Sequence, residues 1–222
     1  MSTDPDLRDD LDEPLGPPVE RPGGRRFGLL ALLLAVVAGL LIGYAGGWLT
    51  PRLTQPGDGS AEAGFARDMS AHHAQAVEMG MIAFQNAVSP DVRTMGGDIA
   101  TGQQAQIGIM QTWLKDWRLE PTGSQPVMAW MPDGAAAVKD GLMPGMATPE
   151  QMAQLRAAKG RQVDILFCQL MINHHLGGIH MVDAILAKTH DKQVIDVAQA
   201  MKTTQQADIN NLTDLLAKAK AS

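Results

Sequence analysis

The chain has 222 residues, a formal net charge of −6, one cysteine, and fourteen methionines against four phenylalanines, four tryptophans and one tyrosine. That length fits one ordinary domain with additional segments. A lone cysteine excludes an internal disulfide, and the absence of a basic patch excludes a nucleic-acid partner.

Residues 1–26 are rich in Asp, Pro, Gly and Arg and nearly free of apolar side chains, the composition of a disordered tail. Residues 27–49, FGLLALLLAVVAGLLIGYAGGWL, carry no charge. At about 1.5 Å per residue this stretch spans a hydrocarbon core of about 30 Å. It is longer than the apolar region of a cleaved signal peptide and no clear A-x-A site adjoins it, so the expectation is an uncleaved transmembrane anchor. Tyr44 and Trp48 suit an interfacial belt, and Arg21, Arg25 and Arg26 on the near side predict a cytoplasmic tail with the bulk of the chain outside. Gly39, Gly43 and Gly47 fall on one stripe, a candidate homodimer face. Residues 50–60 read as a linker.

The rest, 61–222, contains little β-branched alternation and much Ala, Leu, Gln and Met, which favours helices. It also repeats. An offset of 102 carries Phe65 onto Phe167, Met69 onto Met171, His72 and His73 onto His174 and His175, Met79 onto Met181, and QQA at 103–105 onto QQA at 205–207. No gap is needed. The expectation is therefore a duplicated unit: repeat 1 over 61–119, a crossover over 120–160, and repeat 2 over 161–221. Each repeat reads as an αα-hairpin, with helices near 61–87, 90–117, 161–188 and 192–219. Ser89 before Pro90, and Asp191 at the matching position, suit helix N-caps. One hairpin cannot bury its apolar stripe alone, so the fold class is all-α, a four-helix bundle of two hairpins preceded by one transmembrane helix. Thr148-Pro149-Glu150-Gln151 predicts a capping box opening a short helix to about Ala158.

Four of the six histidines lie in the two HH pairs. On a helix, Phe167, Met171, His174, His175, Gly178 and Met181 share an arc of roughly 120°, the face a bundle buries, while His180 and Asp183 point elsewhere. Adjacent histidines diverge by about 100°, so one from each helix can meet its mate at the centre while the other turns to a flanking helix. Gln103, Gln106, Gln205 and Asp208 are candidate polar contacts from those flanking helices. Asp68, one turn before His72, is a candidate to orient its imidazole. A lone buried histidine is usually a core residue and a methionine stripe is usually filling. Four histidines and four methionines recurring in register on one buried face point instead to a metal site, because burying imidazoles is costly. The candidate ligands are Met69, His72, His73, Met79, Met171, His174, His175 and Met181, with Asp68 in support. Thioethers favour soft ions such as Cu(I); zinc and iron are the less favoured metals. A Glu-x-x-His motif is absent, which argues against carboxylate di-iron chemistry. Met128, Met131, Met143 and Met146 in the crossover, the last two in an exposed MPGM loop, are candidates to capture the ion and pass it inward. Cys168 reads as a buried structural thiol.

Phe-x3-Met-x2-His-His-x5-Met, present twice with MPGM before the second copy, resembles the domain of unknown function 305 family over about residues 61–219. The resemblance implies a ferritin-like bundle in exported proteins, some of them linked to copper handling, and it carries over to the eight His and Met positions above. Two departures stand out: Gln106 occupies a position often acidic in the family, with Asp208 as its repeat mate, and Val163-Asp164 replaces the usual Phe-Asp. The functional expectation is a membrane-anchored extracytoplasmic protein that sequesters or delivers copper. The alternatives are a metal-dependent oxidoreductase, or a structural, partner-binding bundle without metal.

Overall fold

The computed structural model describes residues 28–221, without the side chains of 48–54 and of Ala135. The tail over 1–26 lies outside the described residues, as do the side chain of Trp48 and the three arginines. The described residues are helical, with no strand among them and a single bridge between Lys139 and Leu142. The chain divides into two compact units, Met1–Leu53 and Thr54–Ser222.

The first unit holds helix α1, Leu29–Thr54. Its segment Leu29–Gly47 has a mean hydropathy of 2.5 with none of it buried. Nineteen residues at about 1.5 Å each cover about 28 Å, the thickness of a hydrocarbon core. It is an N-terminal apolar helix of the kind that serves as a membrane anchor or a signal segment.

The second unit contains α2 (Ala61–Asn86), α3 (Pro90–Asp116), a single turn α4 (Gly134–Ala137), α5 (Pro149–Ala157), α6 (Arg161–Leu186) and α7 (Lys192–Ala221). The starts follow from local chemistry. Ser60 Oγ accepts from Ala63 N–H, Ser89 Oγ from Val92 N–H with Pro90 in the first turn, and Asp191 Oδ1 from Gln193 and Val194 N–H. Thr148 and Gln151 form the two-way capping box at α5. α2 packs on α3, α6 packs on α7, and α2 meets α6 as the inner pair. Gly80 and Gly96 let α2 and α3 touch backbone to backbone; a Cβ on Gly96 would stand 2.7 Å from the Gly80 carbonyl oxygen. Asp164 on α6 ties the hairpins together, accepting from Val88 and Ser89 N–H at the α2–α3 turn (3.0 and 3.1 Å).

The apolar core forms two separate clusters. One contains Phe65, Met69, Met181 and Ile185; the other contains Met79, Ala83, Phe167 and Met171. The start of α2 thus shares a cluster with the end of α6, and the reverse, so the inner helices run antiparallel. The four histidines occupy the middle of both helices, between the two clusters.

Candidate metal centre

Burial of the paired histidines follows from their helical phase: His72, His73 and His175 are 0% exposed and His174 1%. At the centre His72 and His174 face each other with ring centroids 3.7 Å apart. His73 turns to α3, where its Nε2 meets Gln106 Oε1 at 2.7 Å; His175 turns to α7, where its Nε2 meets Asp208 Oδ2 at 3.1 Å. This is the division of labour that a step of about 100° between neighbours dictates. His72 Nε2 lies 3.0 Å from the Pro144 carbonyl oxygen and His174 Nε2 lies 2.9 Å from the His72 carbonyl oxygen.

These partners fix the tautomers. Carbonyls and carboxylates only accept, so Nε2 carries a proton in His72, His174 and His175, and in the neutral His72 and His174 Nδ1 keeps a lone pair. The Nδ1 atoms of His72, His73 and His175 are buried without a hydrogen-bond partner. Charge is suppressed as well. Burial pushes His72 down to about 4 and His73 to about 3, and drives His174 well below its usual value, with neighbouring imidazoles adding repulsion. The result is a block of imidazoles, each anchored through Nε2 and three of them with a free Nδ1, the arrangement that prepares histidine to ligate a metal. Met69, Met79, Met171 and Met181 are all 0% exposed, with Met69 and Met181 in one core cluster and Met79 and Met171 in the other. Among the described residues no three His, Cys, Asp or Glu side chains gather as a metal-binding group. Across the repeats the structure brings His72 to His174, and imidazole is a donor suited to borderline and soft ions rather than hard ones.

Asp68 does not orient His72. Its Oδ2 accepts from Met128 N–H and Trp130 Nε1–H, both at 2.8 Å, in a buried setting that raises its pKa by desolvation. It anchors the crossover to the first turns of α2, where Trp130 stands edge-on to Phe65 (5.7 Å, 87°) over the space left by Gly64. Leu170 stands at the matching place in α6 and, being apolar, offers no such acceptor. The orienting partner of His72 is instead the Pro144 carbonyl, a backbone group that no side-chain pattern reveals.

The MPGM loop is not exposed as a whole. Met143 is 6% exposed and belongs to the first cluster, and Met146 is half-buried. Met128 and Met131 are buried too. Gly145, at φ +79°, rides against the α6 backbone at Asn173 and Gly177, a contact that a Cβ on either glycine would obstruct. Gln75 completes the clamp, donating to the Ala147 carbonyl and accepting from Ala147 N–H (2.9 and 2.7 Å). Sequence reasoning did not find Gln75. Its counterpart in the second repeat is Gly177, the glycine on which the loop rests, so the repeat gave no polar pair to notice. Cys168 is fully buried and its thiol is pushed up to about 12 by burial and then by Asp164. His180 sits at the surface beside Asp133.

Fold and site together define a helical-bundle protein with a buried core of paired histidines and methionines. The chain belongs to the family described as domain of unknown function DUF305, whose model matches residues 62–216. A DUF305 protein of Streptomyces coelicolor is 39% identical, with 74% of this chain and 96% of that chain covered at a TM-score of 0.68. A DUF305 fragment of Deinococcus radiodurans is 26% identical, with 71% and 96% covered at a TM-score of 0.59. CopM in its Cu(I)-bound form shares the fold at 21% identity and a TM-score of 0.54, with 72% and 96% covered; structures of CopM with Cu(II) and with silver match similarly. No curated protein matches the chain.

Proposed function

We propose that this protein binds copper as Cu(I) outside the cytoplasmic membrane and sequesters or delivers it, with the ion as cargo. The observation that carries the reading is the set of three buried, unpaired Nδ1 atoms on imidazoles whose Nε2 atoms are all engaged. Leaving such atoms unsatisfied is costly, and a bound cation relieves it. His72, His73, His174 and His175 supply the nitrogens, and Met69, Met79, Met171 and Met181 the soft sulfur. Asp68 serves the scaffold. The 102-residue offset, read as a duplication of the hairpin, supplies the two matching halves of the site. The copper- and silver-bound forms of CopM support the choice of a soft ion. The Streptomyces relative is described as a secreted protein, which supports an extracytoplasmic bundle with α1 retained as the anchor. Among the described residues nothing beyond α1 lies within 4 Å of where a Cβ on Gly39, Gly43 or Gly47 would sit, which leaves this stripe of α1 open to the same helix of a second copy.

The test is Cu(I) titration of residues 54–222 against a competing chelator, with Zn(II) and Fe(II) in parallel and the four histidines changed to alanine as the control. Stoichiometric Cu(I) uptake that disappears in the variant is expected. A well-folded wild-type bundle that leaves all copper with the chelator would refute the reading, and the histidines would then be core architecture.

A further inference from the structure

A cleft of about 110 Å³ opens between α3 and α7. Asp98 and Thr204 stand exposed at its rim, Gln106 and Asp208 lie half-buried within it, and Gln103 and Gln205 complete its wall at 5% and 3% exposure. Gln106 and Asp208 are the residues that hold His73 and His175, so the cleft is one hydrogen bond away from two of the four imidazoles. Two features set it apart from an ordinary interhelical groove. Gln103 Oε1 and both amide atoms of Gln205 are buried without a partner. Gln205 is also held against α6 at Gly178, where a Cβ would come within 2.5 Å of its Oε1. Buried amides left open in this way require water or a passing ligand. The lining carries two carboxylates and no lysine or arginine, which favours a cation.

The other cleft near the site, lined by Pro144, Gly145, Asn173 and Gly177, does not offer the same access. There the loop and α6 meet backbone to backbone, and the Pro144 carbonyl already occupies His72.

We infer that the α3–α7 cleft is the port by which a monovalent soft cation enters and leaves the histidine core, with Asp98 and Asp208 attracting it and Gln103 and Gln205 conducting it past the helix faces. This inference rests on the copper reading above. The chemistry fits transit rather than storage: amide oxygens are poor ligands for a soft ion and release it, whereas imidazole and thioether retain it. The port is asymmetric, because only α7 supplies a carboxylate at the inner position, where α3 has Gln106.

The experiment follows Cu(I) transfer from its bis-bicinchoninate complex to the full-length chain in detergent micelles by stopped-flow absorbance. Thr204→Arg places a cation at the exposed rim, away from the core. The double variant Q103L/Q205L replaces the open amides with apolar side chains. Each is expected to slow loading roughly tenfold or more while the final stoichiometry stays at the wild-type value, and the T204R effect is expected to shrink as salt rises. Wild-type loading rates in T204R overturn the port even if Q103L/Q205L fails to fold. Wild-type loading rates in a folded Q103L/Q205L overturn it as well. If the wild-type chain takes up no copper at all, the copper reading fails and the port fails with it; uptake with unchanged rates removes the port alone.

Discussion

Replacing Asp68 by alanine separates a scaffold residue from a ligand. In the native protein one buried carboxylate oxygen accepts two N–H groups at 2.8 Å, from Met128 and from the Trp130 indole. Met128 is fully buried and has a left-handed backbone at φ +64°, a conformation that costs a non-glycine residue about 1–2 kcal/mol and persists only when its surroundings hold it. Hydrogen bonds to a charged group contribute about 1.5–3 kcal/mol each, and the loss of two leaves two buried donors unsatisfied. Relief of the carboxylate's desolvation, the cause of its raised pKa, offsets part of this. A net loss of about 3 kcal/mol is expected for Asp68→Ala. Asp68→Asn, which keeps an acceptor oxygen, should lose about 1 kcal/mol. Urea unfolding of residues 54–222 followed by far-UV circular dichroism measures this; at a slope of about 2 kcal/mol per molar the alanine variant's midpoint falls by about 1.5 M. Cu(I) stoichiometry should stay at the wild-type value. An alanine midpoint within about 0.3 M of wild type would refute the anchoring role, and a loss of copper binding in the folded asparagine variant would return Asp68 to the ligand set.

Acid should unfold the copper-free bundle early. His72, His73 and His174 have folded pKa values below the ordinary 6.5, so the unfolded chain takes up their protons first and stability falls as pH drops below 6.5. Stability is expected to fall progressively, measured as urea midpoints between pH 7 and 5; a pH-independent midpoint would contradict the neutral, buried state. Gly177→Ala should cost about 2 kcal/mol or more, within the range for overpacking, because its Cβ collides with the Pro144 carbonyl. Gly102→Ala, with open space at its Cβ inside α3, should instead stabilise by about 0.5–1 kcal/mol in the same assay. Cys168 should resist iodoacetamide at pH 8 in the folded protein and react once urea exposes it, since its thiol is buried with a pKa of about 12.

The sequence by itself determined the helices, because their signals are local. Apolar spacing, Ser89 and Asp191 as caps, and the Thr148–Gln151 capping box decide where the chain coils, whatever it packs against. The same periodicity determined that both histidine pairs face inward and that neighbours split between the centre and the flanking helices. Tertiary structure decided which groups the imidazoles meet. The Pro144 carbonyl lies 72 residues from His72, and the His72 carbonyl 102 residues from His174. A backbone oxygen has no side-chain signature, so only folding of the crossover onto α6 brings Pro144 there. Asp68 shows the limit of helical spacing: one turn from His72 on α2, its carboxylate is claimed by Met128 and Trp130, because two buried N–H donors from the crossover bind it more strongly than an imidazole that already has a partner. The MPGM methionines likewise read as exposed in a Pro- and Gly-rich segment, yet Met143 is buried, since loop burial depends on what the loop covers and not on its composition.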